Sequence, residues 1–341
     1  MTTRDELTAI RESAGIFSLD DRAFLRITGE DATRWLNGMV TNSIQSLAPG
    51  EGNYNFLLNA QGRIQGDCTI YRLPETAQPA FLLETDTGQI DTIEPLLDKF
   101  IIMDDVQLER GLEIEGIAPT TRGIGLLGFR ATEFLAQLIE ERYEVPLLSD
   151  PEPGKVLLTF ANGSKLSVLA PRATGTPYYE LWDFNDNGMD IAREFLIQDL
   201  GATKISLETL EAYRVLSGTP RFGKDIRERD LPQETNQTHA LHFTKGCYLG
   251  QEIVERIHSR GQVHRTFTGL RLTALPTTLP APLTSEDKAV GEITSAAIVP
   301  LPEGDAILAL GYARREALDR NTPLTYEGGT ATPAALPFTP S

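Results

Sequence analysis

The chain has 341 residues, of which 40% are apolar, and its 31 basic and 48 acidic residues give a net charge of −17. This acidic balance argues against extensive direct binding to nucleic acid. No run approaches the roughly 20 apolar residues that a membrane span needs, and the first residues contain no apolar stretch typical of a signal peptide. We therefore expect a cytoplasmic protein of two or three domains whose two cysteines stay reduced.

Apolar residues that recur every three to four positions predict four helices, and short apolar or alternating runs predict six strands. The helices fall at 29–40, 131–139, 190–200 and 206–218, and the strands at 23–28, 53–58, 69–73, 80–84, 156–160 and 178–182. Ser206 is a predicted N-cap, Gly201 a predicted C-terminal cap, and Asp31 lies in the first turn of its helix. Helices and strands do not alternate strictly, which favours an α+β fold.

The composition changes near residue 274. A stretch with three prolines, 274–282, is followed by short apolar runs separated by glycine and proline. This pattern is typical of a small β-barrel or sandwich. We therefore expect one region over 1–273 and a second domain over 274–341, which ends in a frayed tail.

All four histidines and one of the two cysteines lie within 26 residues, between His239 and His264. Such clustering of proton-transfer and thiol groups indicates chemistry. The surrounding segment 221–271 contains nine basic and six acidic residues, so we expect it to attract an anionic small molecule.

The cysteine of this cluster, Cys247, has features of a functional thiol. Lys245 favours the thiolate if the two side chains meet, and Gly246 and Gly250 indicate a tight turn. The alternative is a buried cysteine that packs as a small apolar side chain, which is the interpretation we prefer for Cys68 at the start of a strand.

Other kinds of site are less consistent with the sequence. His239, His242, Cys247 and His258 supply four possible zinc ligands, but their spacing matches no zinc pattern, and we predict no metal. His258 and His264 lie among arginines, which favours a solvated basic loop. A thiol- or metal-dependent hydrolase stays open as a third alternative, although no oxyanion loop can be identified.

The segment 245–252 resembles the K-G-C-[FY]-x-G-Q-E motif of the YgfZ-type folate-binding proteins, relatives of the glycine-cleavage T-protein. Its matching residues are Lys245, Gly246, Cys247, Tyr248, Gly250, Gln251 and Glu252. Further blocks at 29–42, 59–67, 214–220, 231–234, 290–295 and 310–312 follow in the family's order, so the resemblance covers almost the whole chain.

This resemblance implies a three-lobed α+β fold, with two intertwined lobes in 1–273 and a C-terminal β-barrel. It implies a tetrahydrofolate-binding accessory protein, using tetrahydrofolate or a one-carbon derivative, that supports iron–sulfur cluster synthesis or repair. The expected partners are folate and, transiently, iron–sulfur client enzymes such as radical enzymes that modify tRNA. The alternative function is that of an aminomethyltransferase, which transfers a one-carbon unit to tetrahydrofolate.

The resemblance also implies site residues. Glu180, beside Tyr179, matches the carboxylate that accepts hydrogen bonds from the pterin, although Tyr178 replaces the family's glycine. Asp67 matches a carboxylate near the reacting folate nitrogens, and Arg214 is expected to meet the folate glutamate or a nearby carboxylate. T-proteins typically lack the cysteine of the 245–252 motif, and we therefore expect Cys247, with Lys245, to be the reactive centre.

Overall fold

The computed structural model describes residues 1–73, 78–111, 123–143, 154–161, 164–171, 175–183, 188–261, 263–320 and 323–338. The strands are β1 (Gly15–Leu19), β2 (Arg22–Thr28), β3 (Gly52–Leu58), β4 (Ile64–Arg72), β5 (Ala80–Asp86), β6 (Gln107–Arg110), β7 (Gly123–Leu127), β8 (Lys155–Ala161), β9 (Ser164–Ala170), β10 (Tyr178–Asp183), β11 (Thr203–Lys204), β12 (Arg265–Leu272), β13 (Ala281–Ser285), β14 (Lys288–Leu301), β15 (Gly304–Arg314), β16 (Leu324–Tyr326) and β17 (Gly329–Ala334). The α-helices are α1 (Thr3–Glu12), α2 (Ala32–Met39), α3 (Thr87–Asp98), α4 (Ala131–Tyr143), α5 (Gly188–Glu194), α6 (Leu207–Leu216), α7 (Gln251–Arg260) and α8 (Arg315–Asp319).

The first sheet has the strand order β11-β1-β7-β10-β9-β8. One of its faces packs against α4 and α5 in a hydrophobic core that includes Phe134, Leu135, Tyr179 and Leu181. Successive side chains of a strand point to opposite faces. Glu180, between Tyr179 and Leu181, therefore points to the other face of this sheet.

The second sheet has the order β3-β4-β5-β2-β6. One face packs against α2 and α3 in a core that contains Cys68, Ile70 and Leu83. The opposite face turns toward the first sheet, where Tyr71 and Leu82 share a smaller cluster with Trp182 of β10. The two sheets thus enclose an interface to which β4, β5 and β10 each contribute alternate residues.

The C-terminal strands form a closed barrel in the order β12-β15-β14-β13-β16-β17. Closure follows from the pairing of the last strand, β17, with the first, β12. Apolar residues of α1 and α6, such as Ile10 and Val215, pack against barrel residues such as Leu308 and Tyr312. Burial of this apolar surface holds the barrel on the two-sheet body.

A buried carboxylate adds a polar connection between the body and the barrel. Asp225 is fully buried and accepts hydrogen bonds from the hydroxyls of Thr294 and Ser295. These two residues are neighbours in β14, where the register to β15 shifts between Ile293 and Ser295. A bulge of this kind interrupts strict alternation, and it brings both hydroxyls to one carboxylate.

The α+β class and the C-terminal barrel are confirmed, and each predicted helix and strand overlaps an observed element. The predicted boundary at residue 274 falls after β12, whereas the barrel begins at Arg265. The reason is that the prolines at 276, 280 and 282 lie in the connection from β12 to β13 and in β13 itself. The change in composition therefore marks a loop of the barrel rather than its start.

Candidate functional site

A band of polar side chains crosses the interface between the two sheets. Residues that lie opposite each other on paired strands point to the same face. Thr69 of β4 is opposite Glu84, and Arg22 of β2 is opposite Asp86. Asp67 is two residues from Thr69 and shares its face. The register therefore collects Asp67, Glu84, Asp86 and Arg22 on the surface that turns toward Glu180.

Arg22 is at the centre of this band. Its Nη1 donates to Asp86 Oδ1 at 2.6 Å, and its Nε lies 3.3 Å from Glu180 Oε1 and 3.4 Å from Glu84 Oε1. Glu180 is 0% exposed and Glu84 is 5% exposed. One guanidinium thus faces three carboxyl groups, two of which are withdrawn from water.

The excess of negative charge changes the protonation of Glu84. Burial and the neighbouring charge of Glu180 raise the pKa of Glu84 well above its usual value, which favours its neutral form. The hydroxyl of Tyr178 donates to Glu180 Oε1 at 2.6 Å. Within the described part of the chain, Oε2 of Glu84 and Oε2 of Glu180 are buried without a hydrogen-bond partner. Buried polar atoms of this kind are expected to find a partner in water or a ligand.

Asp67 lies at the other end of the band and is held from two sides. Tyr54 Oη donates to Asp67 Oδ2 at 2.5 Å, and Gln89 Nε2 donates to Oδ1 at 2.8 Å. The Asp67 N–H in turn donates to Gln89 Oε1 at 3.0 Å. Burial raises the pKa of Asp67, and its hydrogen bonds from Tyr54 and Gln89 act in the opposite direction. The arrangement fixes the orientation of this carboxyl group.

Tyr54 connects Asp67 to the histidine- and cysteine-containing segment. The centroid of its ring lies 5.4 Å from that of His239. Asn42 Nδ2 donates to the carbonyl oxygens of both residues, at 3.2 Å to Tyr54 and 2.9 Å to His239. The beginning of the segment is therefore attached to strand β3 beside the Asp67 end of the band.

The segment around Cys247 is fixed to the end of α2 by Lys245. The Lys245 Nζ donates to the carbonyl oxygens of Val40 at 2.7 Å and Asn42 at 2.5 Å. Lys245 thus binds carbonyl groups at the C-terminus of a helix, where a cation is favourable. Burial lowers the pKa of Lys245 to about 7. Cys247 itself is exposed.

Two glycines allow two motifs that are far apart in sequence to pack against each other. Gly250, before α7, has φ +82°, and a Cβ there would lie 2.6 Å from the carbonyl oxygen of Asn59. Gly62 has φ +69°, and a Cβ there would lie 2.8 Å from Cβ of Ile253. Both positions require glycine for conformation and for space. The turn 59–62 and the Cys247 segment therefore pack directly against each other.

The other motif residues differ in their surroundings. Tyr248 is buried, and the Lys245 ammonium lies 5.0 Å from the centroid of its ring. The backbone N–H of Tyr248 donates to Gln251 Oε1 at 3.3 Å. Glu252 is an exposed acidic residue in the first turn of α7, which is favourable for the helix dipole. Gly246 is exposed, and a Cβ there would meet no atom within 4 Å.

Tyr179 and Arg214 lie apart from the polar band. Tyr179 is on the α4 face of the first sheet, with its hydroxyl 2.7 Å from Thr132 Oγ1. Arg214 makes five hydrogen bonds, two to Glu211 and one each to Thr219, Asp225 and Ser295. These bonds use all five N–H donors of the guanidinium. The folate-binding roles of both residues stay predictions, and the structure shows packing and inter-lobe contacts for them.

Five residues of the band were not predicted from the sequence: Arg22, Tyr54, Glu84, Asp86 and Gln89. A signal existed for Glu84, which directly follows the apolar run 80–83 of its strand, and the structure buries it to 5% exposure. Buried charges of this kind are rare unless they are paired. Arg22 and Gln89 carried no comparable signal, because their roles depend on which strand and helix lie opposite.

His258 and His264 are both exposed. His258 lies on α7 rather than in a loop, and it stacks on Phe243 with ring centroids 3.8 Å apart. Arg265, one of the arginines beside these histidines, pairs with Asp230 and Glu234 at the start of the barrel. Among the described residues, no group of three or more His, Cys, Asp or Glu side chains has an arrangement that could hold a metal ion.

The two sheets, the polar band and the barrel define a protein of the T-protein-like class. A model of the GCVT N-terminal domain family matches residues 1–245, and the chain belongs to this family. The membership of the YgfZ/GcvT family predicted from the motifs is thereby confirmed at the level of this shared domain.

Relatives of two kinds are similar to the chain. The mitochondrial iron–sulfur cluster assembly factor IBA57 of Mus musculus is 29% identical over 276 residues, which are 75% of this chain and 66% of that protein. The aminomethyltransferase of Corynebacterium aurimucosum is 25% identical over 272 residues, 78% of this chain and 70% of that protein. The chain thus spans just under two thirds of the length of the first of these relatives.

A solved structure shows the same fold. The glycine cleavage system aminomethyltransferase T from Bartonella henselae superposes with a TM-score of 0.82 at 20% sequence identity, over 99% of this chain and 89% of that one. The three-lobed T-protein-like fold is therefore confirmed. In the part of the chain that the structure describes, no helix is long and apolar enough to cross a membrane.

Proposed function

We propose that the chain is a tetrahydrofolate-binding accessory protein that supports iron–sulfur cluster synthesis or repair, with Cys247 as its reactive centre. The observation that carries this proposal is an exposed thiol on a segment attached to the polar band of a T-protein-like fold. Relatives named as iron–sulfur cluster assembly factors support the direction of this function. The client enzymes we propose are radical enzymes such as those that modify tRNA.

The polar band has the chemistry needed to hold a pterin. A pterin edge presents neighbouring N–H donors, and Glu180 Oε2 is a buried acceptor without a partner in the described residues, beside the neutral carboxyl group of Glu84. Tetrahydrofolate would supply a carrier for a one-carbon unit. Because Glu180 is 0% exposed, neighbouring side chains must move before a ligand reaches it. Asp67, held by Tyr54 and Gln89, lies along the same band.

The two cysteines restrict how the protein acts on clusters. Cys247 is exposed, whereas Cys68 of β4 is buried in the core between the second sheet and helices α2 and α3. Burial raises the pKa of the Cys68 thiol well above the usual value. A stable iron–sulfur cluster usually requires four protein ligands. One accessible thiol is too few, and we therefore propose that Cys247 contacts a cluster or client transiently.

A matched pair of variants tests the role of the thiol. Cys247→Ser should fold and bind tetrahydrofolate like the wild type but fail to restore iron–sulfur enzyme activity in a deletion strain. Cys68→Ala should lose stability, because it empties a buried site, and still restore activity. Alkylation rates measured on the two single-cysteine variants should be faster for Cys247. Full complementation by Cys247→Ser, or faster alkylation of Cys68, would show that the reactive centre is assigned wrongly.

Aminomethyl transfer is the second candidate function. It is supported by the oriented Asp67 carboxyl and by relatives named aminomethyltransferase. A glycine-cleavage assay with lipoyl carrier protein distinguishes the two candidates. We expect little or no activity, and turnover in the ordinary enzyme range of about 1–10³ s⁻¹ would establish the transferase instead.

A further inference from the structure

A groove at the junction of the barrel and the body contains several arginines. It has a volume of about 520 Å³, and Arg229, Arg265, Arg314 and Glu292 supply its charged side chains. Residues of β13 and β14, including Pro282 and Val290, form an apolar wall. A volume of this size is typical of small-molecule sites.

Two of these arginines are direct cross-strand neighbours. Arg265 of β12 lies opposite Arg314 of β15, and like charges in this position destabilise a sheet. Arg265 is compensated by Asp230 at 2.6 Å and Glu234 at 3.1 Å. Arg314 is exposed and makes no ion pair or side-chain hydrogen bond with any described residue. Its charge is therefore available to a ligand.

The positive charge of Arg229 is also partly available to a ligand. Its side chain is 62% exposed, and it binds Glu292 through a single nitrogen, Nη2, at 3.0 and 3.1 Å. Arg227 binds the same carboxylate. The cluster thus has four arginines, at 227, 229, 265 and 314, against three carboxylates, at 230, 234 and 292. Four positive and three negative charges leave an excess of one positive charge, in a chain whose net charge is −17.

We propose that this groove binds a small oxyanion, a phosphate or a carboxylate. Guanidinium groups bind both kinds of anion through parallel N–H donors. A bound oxyanion lies between Arg314 and Arg229 and compensates the charge of Arg314. The ion pairs of Arg265 with Asp230 and Glu234 hold the Arg265 side chain in place. The proposal does not depend on folate binding at the polar band.

Calorimetric titration of the full chain with pyrophosphate and with citrate tests this proposal at about 50 mM salt, where screening is weak. We expect binding of at least one probe with a dissociation constant below about 1 mM. The probe that binds more tightly identifies a phosphate or a carboxylate ligand. Arg314→Gln and Arg229→Gln should each weaken it about tenfold or more, because a charge-assisted hydrogen bond is lost.

Arg320→Gln is the matched control, because Arg320 is exposed in the same domain and pairs with Glu316 outside the groove. It should bind like the wild type, and melting temperatures should show that all three variants are folded. The proposal is overturned if neither probe binds up to about 10 mM. It is equally overturned if binding occurs but both groove substitutions leave the dissociation constant within about twofold of the wild type.

Discussion

Replacing Glu180 by glutamine is the sharpest test of folate binding at the polar band, because the surroundings dictate how the amide must orient. Glu180 Oε1 lies 3.3 Å from Nε of Arg22, a group that donates and cannot accept a hydrogen bond. The oxygen of the glutamine must therefore occupy the Oε1 position. Its NH₂ group then replaces Oε2, the buried oxygen that has no partner among the described residues.

The forced orientation sets the size of the effect. A pterin N–H would then face another donor, so that one charge-assisted hydrogen bond is lost, at about 1.5–3 kcal/mol. This corresponds to a dissociation constant about 10- to 100-fold higher. The assay is anaerobic calorimetry with tetrahydrofolate, for which we expect the wild type to bind at about 1 μM or more tightly.

Glu84→Gln provides the contrast within the same band. Because burial raises the pKa of Glu84 and favours its neutral acid form, an amide there also presents one acceptor and one donor. We expect its affinity for tetrahydrofolate to stay within about threefold of the wild type. An unchanged affinity in Glu180→Gln would refute the placement of the pterin at Glu180, and a wild type that does not bind tetrahydrofolate would refute the folate proposal itself.

Three further predictions concern stability and are checked by urea unfolding. Arg22→Gln should cost about 3 kcal/mol, because it leaves buried carboxyl groups without their cation. Arg26→Gln should cost less than about 1 kcal/mol, because its carboxylate partner, Glu109, is 49% exposed and stays solvated without the arginine; equal losses would contradict this. Gly250→Ala should cost at least about 1–2 kcal/mol for the left-handed backbone alone, and Gly246→Ala, where a Cβ meets nothing within 4 Å, should be nearly neutral. The folded-state pKa of Glu84 is raised, so the wild type has the full stability of the neutral acid below about pH 4.5 and loses it as the pH rises through that pKa. Glu84→Gln should therefore gain stability relative to the wild type between pH 5 and pH 8, and a difference independent of pH would show that Glu84 does not titrate as inferred.

Local sequence signals determined several features of this protein correctly. Ser206 is the N-cap of α6 and accepts the N–H of Thr209. Gly201, at φ +76°, follows the π-helical turn Phe195–Asp199 that continues α5. Alternation along β4 places Cys68 in the core. These features depend on residues within a few positions of each other, and the sequence therefore contains most of the information that decides them.

Helix α3 shows where local signals fail. It contains Gly88 and Pro95, both of which disfavour a helix in isolation. In the folded chain its residues Ile90, Ile93 and Leu97 are buried against the second sheet. Burial of apolar area outweighs the local preference, and no window of sequence around α3 shows the sheet that provides it.

The motifs by themselves predicted the family and identified Asp67, Glu180 and Cys247 as candidate site residues. Only the tertiary structure decided what surrounds them. It places Arg22 against Glu180, although the two are more than 150 positions apart, and it packs Gly62 against the residues that follow Gly250. Such contacts depend on strand register and on the packing of one lobe against another, and these are decided by the burial of surface over the whole chain.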